Sequence, residues 1–413
     1  MNKKLKARLK PHWNFLVEFT KPLRRVFFSS LQRLPVSSQV IGPPKGFYES
    51  TWDWVVQQGS GEPELQETTY IKIYPNHQIC RSQPKTLEQD IHWKFKQEYR
   101  RESPAAFVAI VPNGRVWGDS GTVITPDDKV LADVSEEHGR KVPDTHSIFF
   151  QSKLPAVHQV DGTVAVLSAA GSGGYFHWMF DVLPRVELIR RSGISLDSID
   201  KFVVNSYQLP FQKETLTTLG IPETKIIESH RYPHVKAARL VVPSLAGNTG
   251  NMPSWVGDFL RKEFPSSEAV KRFDRPERIY ISRKDTSHRR ITNEAEVTDF
   301  LSKLGFRSVE LASMTMAEKA SLFSSAKVVV APHGAGISNT VFCNPGAKVI
   351  EIFSPEWVAA CFWAVSNQIG LDYYYLIGKG KRPPEYTDPG RMLEDILVDL
   401  DELLNLMKLA GIQ

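Results

Sequence analysis

Hydrophobic and polar positions alternate along the second half of the chain in a pattern typical of strands separated by helices. Short apolar runs at Lys201–Asn205, Arg278–Ser282 and Val328–Ala331 predict buried strands. Apolar residues at helical spacing predict helices over Glu294–Leu304 and Met316–Ser325. Because strands joined by such helices form parallel sheets with right-handed crossovers, the pattern predicts an α/β fold.

The remaining parts of the chain show other patterns. Residues 40–75 are rich in Gly, Pro, Ser and Gln, which predicts loop and linker, and residues 104–170 have the short apolar runs and turn signals of strands. Residues 265–276 are polar and charged, which predicts a linker between domains. Apolar residues recur at i, i+3, i+4 and i+7 over Arg391–Leu409, which predicts an amphipathic helix packed on the body.

Composition narrows the class of protein. The chain has 413 residues, 41% of them hydrophobic, and a net charge of +5, which fits a two-domain globular protein with an anionic ligand better than a nucleic-acid binder. Its three cysteines are far apart, which favours a reducing compartment and no disulfide framework. No apolar run is long enough for a transmembrane helix. Residues 1–35 are basic with interspersed aromatics, which predicts peripheral membrane contact, a helical arm packed on the body or a disordered lead.

One candidate site lies between two predicted strands, Val328–Ala331 and Lys348–Phe353. The turn after the first strand contains His333, Gly334, Ala335 and Gly336, and it has almost no side-chain bulk. Ser338 follows as a predicted helix N-cap, so bare backbone N–H groups would face a bound phosphate. The spacing matches neither a Walker A loop nor a dinucleotide fingerprint, and a tight turn that binds nothing is the alternative. A metal site is not expected, because no second ligand lies at suitable spacing from His333.

A second candidate lies at the start of a predicted helix over Tyr175–Arg191. His177 and Asp181 are four residues apart and therefore share one helix face. A carboxylate that accepts from one imidazole nitrogen fixes the tautomer and raises the basicity of the ring, as a general base for an alcohol requires. The alternative is a purely structural His–Asp contact. Pro184 should kink this helix.

A third candidate is the basic loop after the predicted strand Arg278–Ser282. Arg283 lies just beyond the carboxyl end of that strand, where α/β sheets bind ligands. Arg290 follows in the same loop, and forked guanidinium donors suit a diphosphate. The alternative is a solvated basic loop.

The order of these three segments resembles the glycosyltransferase 61 family. The resemblance rests on HWMFDVLPR from His177, on RIYISR from Arg278 with RRITNE from Arg289, and on AKVVVAPHGAGISN from Ala326 with NPGAKVIEI from Asn344. It covers roughly residues 155–370. It implies a GT-B fold, with two Rossmann-like domains facing across a cleft. It also implies an inverting, metal-independent transfer of a sugar from a nucleotide sugar, usually UDP-linked, with no cofactor.

The resemblance also assigns roles to residues. Arg283 and Arg290 would neutralise the diphosphate of the donor. The donor loop would consist of His333, Gly334, Ala335, Gly336 and Asn339, with Glu351 near the nucleoside. His177 and Asp181 would face the acceptor, and we expect Asp181 to be the base, with His177 orienting or binding the acceptor.

These inferences divide the chain into four segments. Residues 1–100 form a basic extension and linker, 101–254 an acceptor-side domain, 255–385 a donor-binding domain, and 386–413 the terminal helix. We expect a cytoplasmic enzyme of bacterial capsule type that acts on a glycan or lipid-linked glycan and has no nucleic-acid partner. In one interpretation, residues 1–35 contact the inner face of the plasma membrane. The rival functions are a non-catalytic nucleotide- or sugar-binding protein and a dinucleotide-dependent oxidoreductase.

Overall fold

The structure is a computed structural model that describes residues 41–58, 69–138, 143–266 and 275–413. Residues 1–35, and most of the linker predicted at residues 265–276, lie outside the described residues, so the predictions for them stay predictions. In the described part of the chain, two main sheets pack against helices, and the α/β class predicted from the sequence is confirmed.

The bounds of the regular elements are as follows. The strands are β1 Gly46–Tyr48, β2 Tyr70–Tyr74, β3 His77–Cys80, β4 Arg100–Ser103, β5 Ala106–Pro112, β6 Arg115–Trp117, β7 Thr122–Ile124, β8 Lys129–Leu131, β9 His158–Val166, β10 Lys201–Val204, β11 Ile226–Glu228, β12 His234–Pro243, β13 Arg278–Ile281, β14 Arg307–Val309, β15 Val328–Pro332, β16 Lys348–Phe353 and β17 Asp372–Ile377. The helices are α1 Thr51–Gln58, α2 Trp93–Gln97, α3 Tyr175–His177, α4 Leu183–Arg191, α5 Pro210–Thr218, α6 Ser254–Glu263, α7 Glu294–Lys303, α8 Met316–Ser325, α9 Cys361–Ile369 and α10 Leu400–Leu409.

The sheet of the C-terminal half, here called the second sheet, has the strand order β14-β13-β15-β16-β17, and all of its neighbouring strands pair in parallel. Numbered along the chain, this is the order 2-1-3-4-5 of a doubly wound α/β sheet. Its central strands are buried on both faces, as their runs of Val and Ile predict. The sheet therefore has a switch point between β13 and β15, where its connections leave in opposite directions.

The sheet of the N-terminal half, here called the first sheet, is mixed. Strands β12, β9, β10 and β11 pair in parallel, whereas β5 and β6 lie antiparallel to β12. Strands β9 and β12 are longer than their apolar runs predict. Each has one end that alternates polar and apolar residues, because that end is only half covered.

Two predictions about local structure are wrong in part. Residues 40–75 were expected to be loop and linker, but they contain β1, α1 and β2, and Trp54 and Val55 of α1 are buried. The terminal helix was expected over Arg391–Leu409 but spans only α10. Asp399 caps it by accepting from the backbone of Asp401 and Glu402, while the residues before it are extended and pair with Ile291 and Lys379. The apolar face of α10 packs on the second sheet, as predicted.

The two sheets are joined by direct contacts. The backbone N–H of Met316, at the start of α8, donates to Glu214 of α5 over 2.8 Å, and Arg190 of α4 pairs with Glu263 of α6 at 3.0 Å. One apolar core includes residues from both sides of this junction. The carboxyl ends of β9 and of β13 and β15 consequently lie near one shared cleft.

Candidate active site

The switch point of the second sheet is occupied by two predicted donor-site residues. Arg283 follows β13 and is only 8% exposed, and Gly334 follows β15. A Cβ on Gly334 would lie 1.9 Å from Nη1 of Arg283, so glycine at this position is what allows the guanidinium to lie against the backbone. The two loops therefore form one unit, at the edge of the sheet where α/β proteins bind ligands.

Arg283 is a buried cation with spare hydrogen-bonding capacity. Its Nη2 donates to the carbonyl of His288 over 3.2 Å, while its buried Nε has no partner among the described residues. Burial, reinforced by the nearby Arg289, lowers the pKa of Arg283 to about 10, so it stays charged at neutral pH. An unsatisfied buried guanidinium is costly unless an anion joins it.

A cavity of about 340 Å³ opens beside Arg283, and we call it the switch-point cavity. Its walls are formed by residues beside both sheets and are mostly apolar, and they carry two buried cations, Arg283 and Lys319. They are formed by Tyr175, Leu209, Pro210, Phe211, Ile281, Ser282, Arg283, Asp285, Thr286, Leu311, Ala312, Lys319, Pro332, Gly334, Ala335, Gly336, Ile337 and Asn339. A pocket of this size, with apolar walls and a few charged groups, suits a small anionic ligand.

Asn339 links the cavity to the first sheet. It lies in a 3-10 helix, Ala335–Phe342, and is buried. Its Oδ1 accepts from the hydroxyl of Tyr175 over 2.6 Å, and its Nδ2 donates to the carbonyl of Gly336 over 2.9 Å. Ser338 was predicted to cap a helix here, but it lies inside the 3-10 helix, and its buried Oγ has no partner among the described residues, so that prediction is wrong.

His333 and Glu351 form a buried pair beside the loop that contains Gly334 and Ala335. Nδ1 of His333 is hydrogen-bonded to Glu351, whose other oxygen accepts from the hydroxyl of Tyr373. Burial lowers the pKa of His333 well below its ordinary value and raises the pKa of Glu351 to about 8. Glu351 is 0% exposed and both of its oxygens are engaged. It therefore orients His333, and its predicted place near a nucleoside stays a prediction.

Arg290 and its neighbour Arg289 point in different directions. Arg290 is exposed and pairs with Asp395, Nη2 to Oδ2, at 2.8 Å, outside the switch-point cavity. The guanidinium of Arg289 instead lies 5.4 Å from the ring centroid of Trp357, which in turn contacts His333. Arg289, which the resemblance did not single out, is thus the second arginine on the side of the cleft that holds His333.

The acceptor-side pair lies at the carboxyl edge of the first sheet. Nδ1 of His177 and Oδ2 of Asp181 are 2.8 Å apart, so the structure brings the pair together. Asp181 is 4% exposed and also accepts from the hydroxyl of Thr249 over 3.3 Å, whereas the side chain of His177 is partly accessible. A Cβ on Gly171, which has φ +74°, would lie 3.0 Å from Nε2 of His177. The ring of His177 therefore needs glycine beside it.

Further polar groups surround this pair that the sequence analysis did not identify. The ring of His138 lies 4.9 Å from that of His177, and partial burial together with His177 lowers the pKa of His138. Arg185 is fully buried and donates through Nη1 to the carbonyl of Ser168 over 2.7 Å. Asp181 and Glu136 both favour its charged form electrostatically. The sequence signal for Arg185 was its place one helical turn after Asp181.

The rings of four residues connect the two sides of the cleft. His333 lies 5.2 Å from Phe362, Phe362 lies 5.5 Å from Phe176, and Phe176 lies 5.3 Å from His177, centroid to centroid. Within the described residues, no cluster of three His, Cys, Asp or Glu side chains is arranged to hold a metal ion, and no helix is long and apolar enough to cross a bilayer. These ring contacts connect the imidazole–carboxylate pair of His177 and Asp181 to the side of the molecule that carries His333.

Residues 175–350 match the family model Glycosyltransferase 61. The match supports the family resemblance for the part of the chain that carries the three motifs. The matched segment begins at Tyr175, contains the His177–Asp181 pair, Arg283 and Gly334, and ends one residue before Glu351.

The chain is also similar to plant enzymes. A beta-1,2-xylosyltransferase of Oryza sativa subsp. japonica is 34% identical over 124 residues, 28% of this chain and 22% of the relative. A beta-1,2-xylosyltransferase and a xylan glycosyltransferase of Arabidopsis thaliana are each 31% identical, over 98 and 105 residues, which cover 21% and 24% of this chain and 18% and 21% of those relatives. The chain thus matches about a fifth of the length of these curated relatives. They support the family but not the bacterial capsule type that the sequence analysis expected.

Proposed function

We propose that this protein is an inverting glycosyltransferase that moves a sugar from a nucleoside diphosphate sugar, UDP-linked, to a hydroxyl group of a glycan in cell-surface polysaccharide synthesis. The observation that carries the proposal is the hydrogen bond from Tyr175 to Asn339. It joins the segment that bears His177 and Asp181 to the loop that lies against Arg283. A candidate base and a candidate anion site thereby share one cleft, as a single-displacement transfer requires. The GT-B fold, with two Rossmann-like domains facing across a cleft, is part of the proposal.

On the donor side, the task is to stabilise the departing diphosphate. Breaking the bond between the anomeric carbon and the diphosphate oxygen leaves negative charge on the leaving group. Arg283 and the backbone N–H groups at the start of the 3-10 helix Ala335–Phe342 would receive that charge. Because these groups are already fixed and buried, they need no metal ion for this role, and we propose a metal-independent reaction.

On the acceptor side, the geometry favours His177 over Asp181 as the base. Asp181 is buried and accepts from Nδ1 of His177 and from Thr249, which leaves Nε2 as the ring nitrogen that Asp181 does not engage. A carboxylate only accepts, so the Nδ1 proton faces Asp181 and Nε2 carries the lone pair. In the proposed step Nε2 takes the acceptor hydroxyl proton while the oxygen attacks the anomeric carbon from the face opposite the diphosphate, which inverts its configuration.

The plant relatives guide the choice of substrates. Two of them are named beta-1,2-xylosyltransferases and one a xylan glycosyltransferase, so UDP-xylose and a xylan oligosaccharide are the first donor and acceptor to try. UDP-hexoses and lipid-linked glycans form the second set. A cytoplasmic location, with the basic residues 1–35 on an anionic membrane, is also proposed. Co-sedimentation of the full chain with phosphatidylserine vesicles, but not with phosphatidylcholine vesicles, would support it, and equal sedimentation with both would contradict it.

The first experiment is thermal unfolding with UDP, GDP, CMP, NAD and NADP, each with and without EDTA. A ligand at 100 times its dissociation constant adds about 2.7 kcal/mol of stability, which is readily measured. We expect a shift with UDP that survives EDTA. A shift with NAD or NADP alone would favour a dinucleotide-dependent oxidoreductase, and loss of the UDP shift in EDTA would contradict metal independence.

The second experiment separates the roles of the His–Asp pair. His177→Ala and Asp181→Asn should each lower the rate of sugar transfer by roughly 10²–10⁴-fold, the usual contribution of a general base, and leave UDP affinity unchanged. His77→Ala, a change at an exposed histidine of β3, is the matched control and should keep full activity. Transfer that survives His177→Ala but not Asp181→Asn would assign the base to Asp181.

A further inference from the structure

Lys319 is a buried cation in an unfavourable position. It is the fourth residue of α8 and only 6% exposed. The first turn of a helix carries the positive end of the helix dipole, which disfavours a lysine there. Burial lowers the pKa of Lys319, which means that the loss of contact with water outweighs the attraction of the nearby carboxylates Glu214 and Glu318. A side chain retained at such a cost suggests a ligand of opposite charge.

The carboxylates near Lys319 are engaged elsewhere. Glu214 accepts from the backbone of Met316 over 2.8 Å, and Glu318 accepts from the backbone and hydroxyl of Thr315. They favour the charged form of Lys319 only through longer-range electrostatics. Within the described residues the ammonium forms no ion pair, and its one defined contact is the ring of Tyr175, 4.9 Å from Nζ to the centroid.

Lys319 and Arg283 line the same cavity. They approach it from different elements, Lys319 from α8 and Arg283 from the loop after β13. Arg283 also has a buried Nε without a partner. Asp285 is the acidic side chain in the lining, but it is exposed and acts on Arg283 only electrostatically. Two buried cations in a cavity of about 340 Å³ call for a ligand that carries negative charge at two points.

We propose that Lys319 is a donor-binding residue that, together with Arg283, clamps the two phosphate groups of the nucleotide-sugar donor. This inference rests on the proposed function and extends it to a residue outside the three motifs. It makes the site selective for a diphosphate over a monophosphate. It also explains why a lysine occupies a helix position whose neighbours, Met316, Ala320 and Phe323, are apolar and buried.

Calorimetry with Lys319→Met tests the clamp. Replacing a buried unpaired charge by an apolar side chain should raise the unfolding temperature of the ligand-free protein. The same change should weaken UDP binding by roughly tenfold or more, the usual effect of losing a charged hydrogen bond, and leave uridine binding unchanged. A lysine with a purely structural role would show the reverse, lower stability with unchanged UDP affinity, and that result would overturn the proposal. Lys319→Gln serves if the methionine variant does not fold.

Inorganic anions test whether both cations meet one diphosphate. Lys319→Met and Arg283→Gln should each lose more affinity for pyrophosphate than for orthophosphate. Lys213→Gln, at an exposed lysine of α5, should keep its affinity for both anions. If the wild type binds UDP and Lys319→Met binds it as tightly as Lys213→Gln does, the clamp is overturned and the proposed function is not. Wild-type protein that binds neither UDP nor pyrophosphate would overturn the proposed function and the clamp with it.

Discussion

Gly334 is the residue of the site with the least room for change. Its backbone is extended, with φ 173°, so conformational freedom is not the reason for glycine here. The reason is contact, because Arg283 occupies the space of a Cβ. Arg283 is itself held between this loop and the carbonyl of His288, so it cannot move without losing that hydrogen bond.

Gly334→Ala should therefore displace Arg283 and weaken UDP binding by roughly tenfold or more, because a charged hydrogen bond to the ligand is lost. Titration calorimetry measures the change. Gly46→Ala is the control, since a Cβ at Gly46 meets nothing within 4 Å, and it should bind UDP as the wild type does. Equal UDP affinity in the two variants would remove Arg283 from the donor site.

Glu351 gives the protein a pH dependence of stability. The folded chain holds a proton on Glu351 up to a pKa of about 8, whereas the unfolded chain releases it near the ordinary value of 4.5. Raising the pH through this interval therefore destabilises the folded state. His333 has the opposite effect. Because burial lowers its pKa from 6.5, the folded state gains stability as the pH rises toward 6.5, and there is no further gain above that pH.

We therefore expect the urea midpoint of the wild type to fall as the pH rises from about 6.5 to about 8, where His333 no longer contributes. Glu351→Gln cannot ionise and should show a smaller fall over the same interval. Parallel curves for the two proteins would show that Glu351 is already ionised in the folded state.

Sequence reasoning found some site residues and missed others for identifiable reasons. Arg283 and Gly334 could be placed because they follow predicted strands directly. Arg290 could not be distinguished from Arg289, because Arg289 has φ +53°, a left-handed conformation that alters the direction of the chain at this point and is rare for arginine. Lys319 was missed because a lysine in an amphipathic helix is ordinarily on the surface.

At the level of elements, the helix that begins at Tyr175 shows how one proline shapes the site. Pro184 has no N–H, and its ring would clash with the carbonyl four residues earlier in a regular helix. The chain forms a π-helical turn, Trp178–Val182, just before it, so the predicted kink is present as a widened turn. Asp181 lies in that turn, still within hydrogen-bonding distance of His177.

The terminal helix α10 packs on the second sheet and shares its core. Leu403 is fully buried in the core that α10 shares with β13, β15, β16 and β17. Its start could not be read from periodicity alone, because Ile396 and Leu397 continue the apolar pattern but pair with other segments. Extended residues and helical residues can share the same spacing over so short a run.

Leu403→Ala should lower the free energy of unfolding by about 2–5 kcal/mol, because it leaves a cavity in a packed core. Urea denaturation measures the loss. Leu409→Ala, at an exposed position of the same helix, should cost far less. Similar losses for the two variants would mean that α10 does not depend on its buried face.

At the level of the whole molecule, the parallel second sheet was predictable and the mixed first sheet was not. Runs of Val and Ile bounded by helices specify buried parallel strands with little ambiguity. The antiparallel additions to the first sheet pair residues far apart in sequence, such as β5 with β12, and nothing in a local pattern indicates those partners. The cleft between the sheets depends on such long-range contacts and became visible only in the structure.

The segment before β5 belongs physically to the other end of the chain. Phe95 of α2 packs against Trp363 and Tyr375, and the backbone N–H of Ser82 donates to Asn367. During synthesis, this segment leaves the ribosome almost 300 residues before its partners do, so these contacts form only after the strands and helices of the second sheet have been synthesised. A fragment that begins at residue 255 would expose the apolar surface that Phe95 covers, and it should aggregate. Adding residues 77–103 as a separate peptide should keep the fragment in solution.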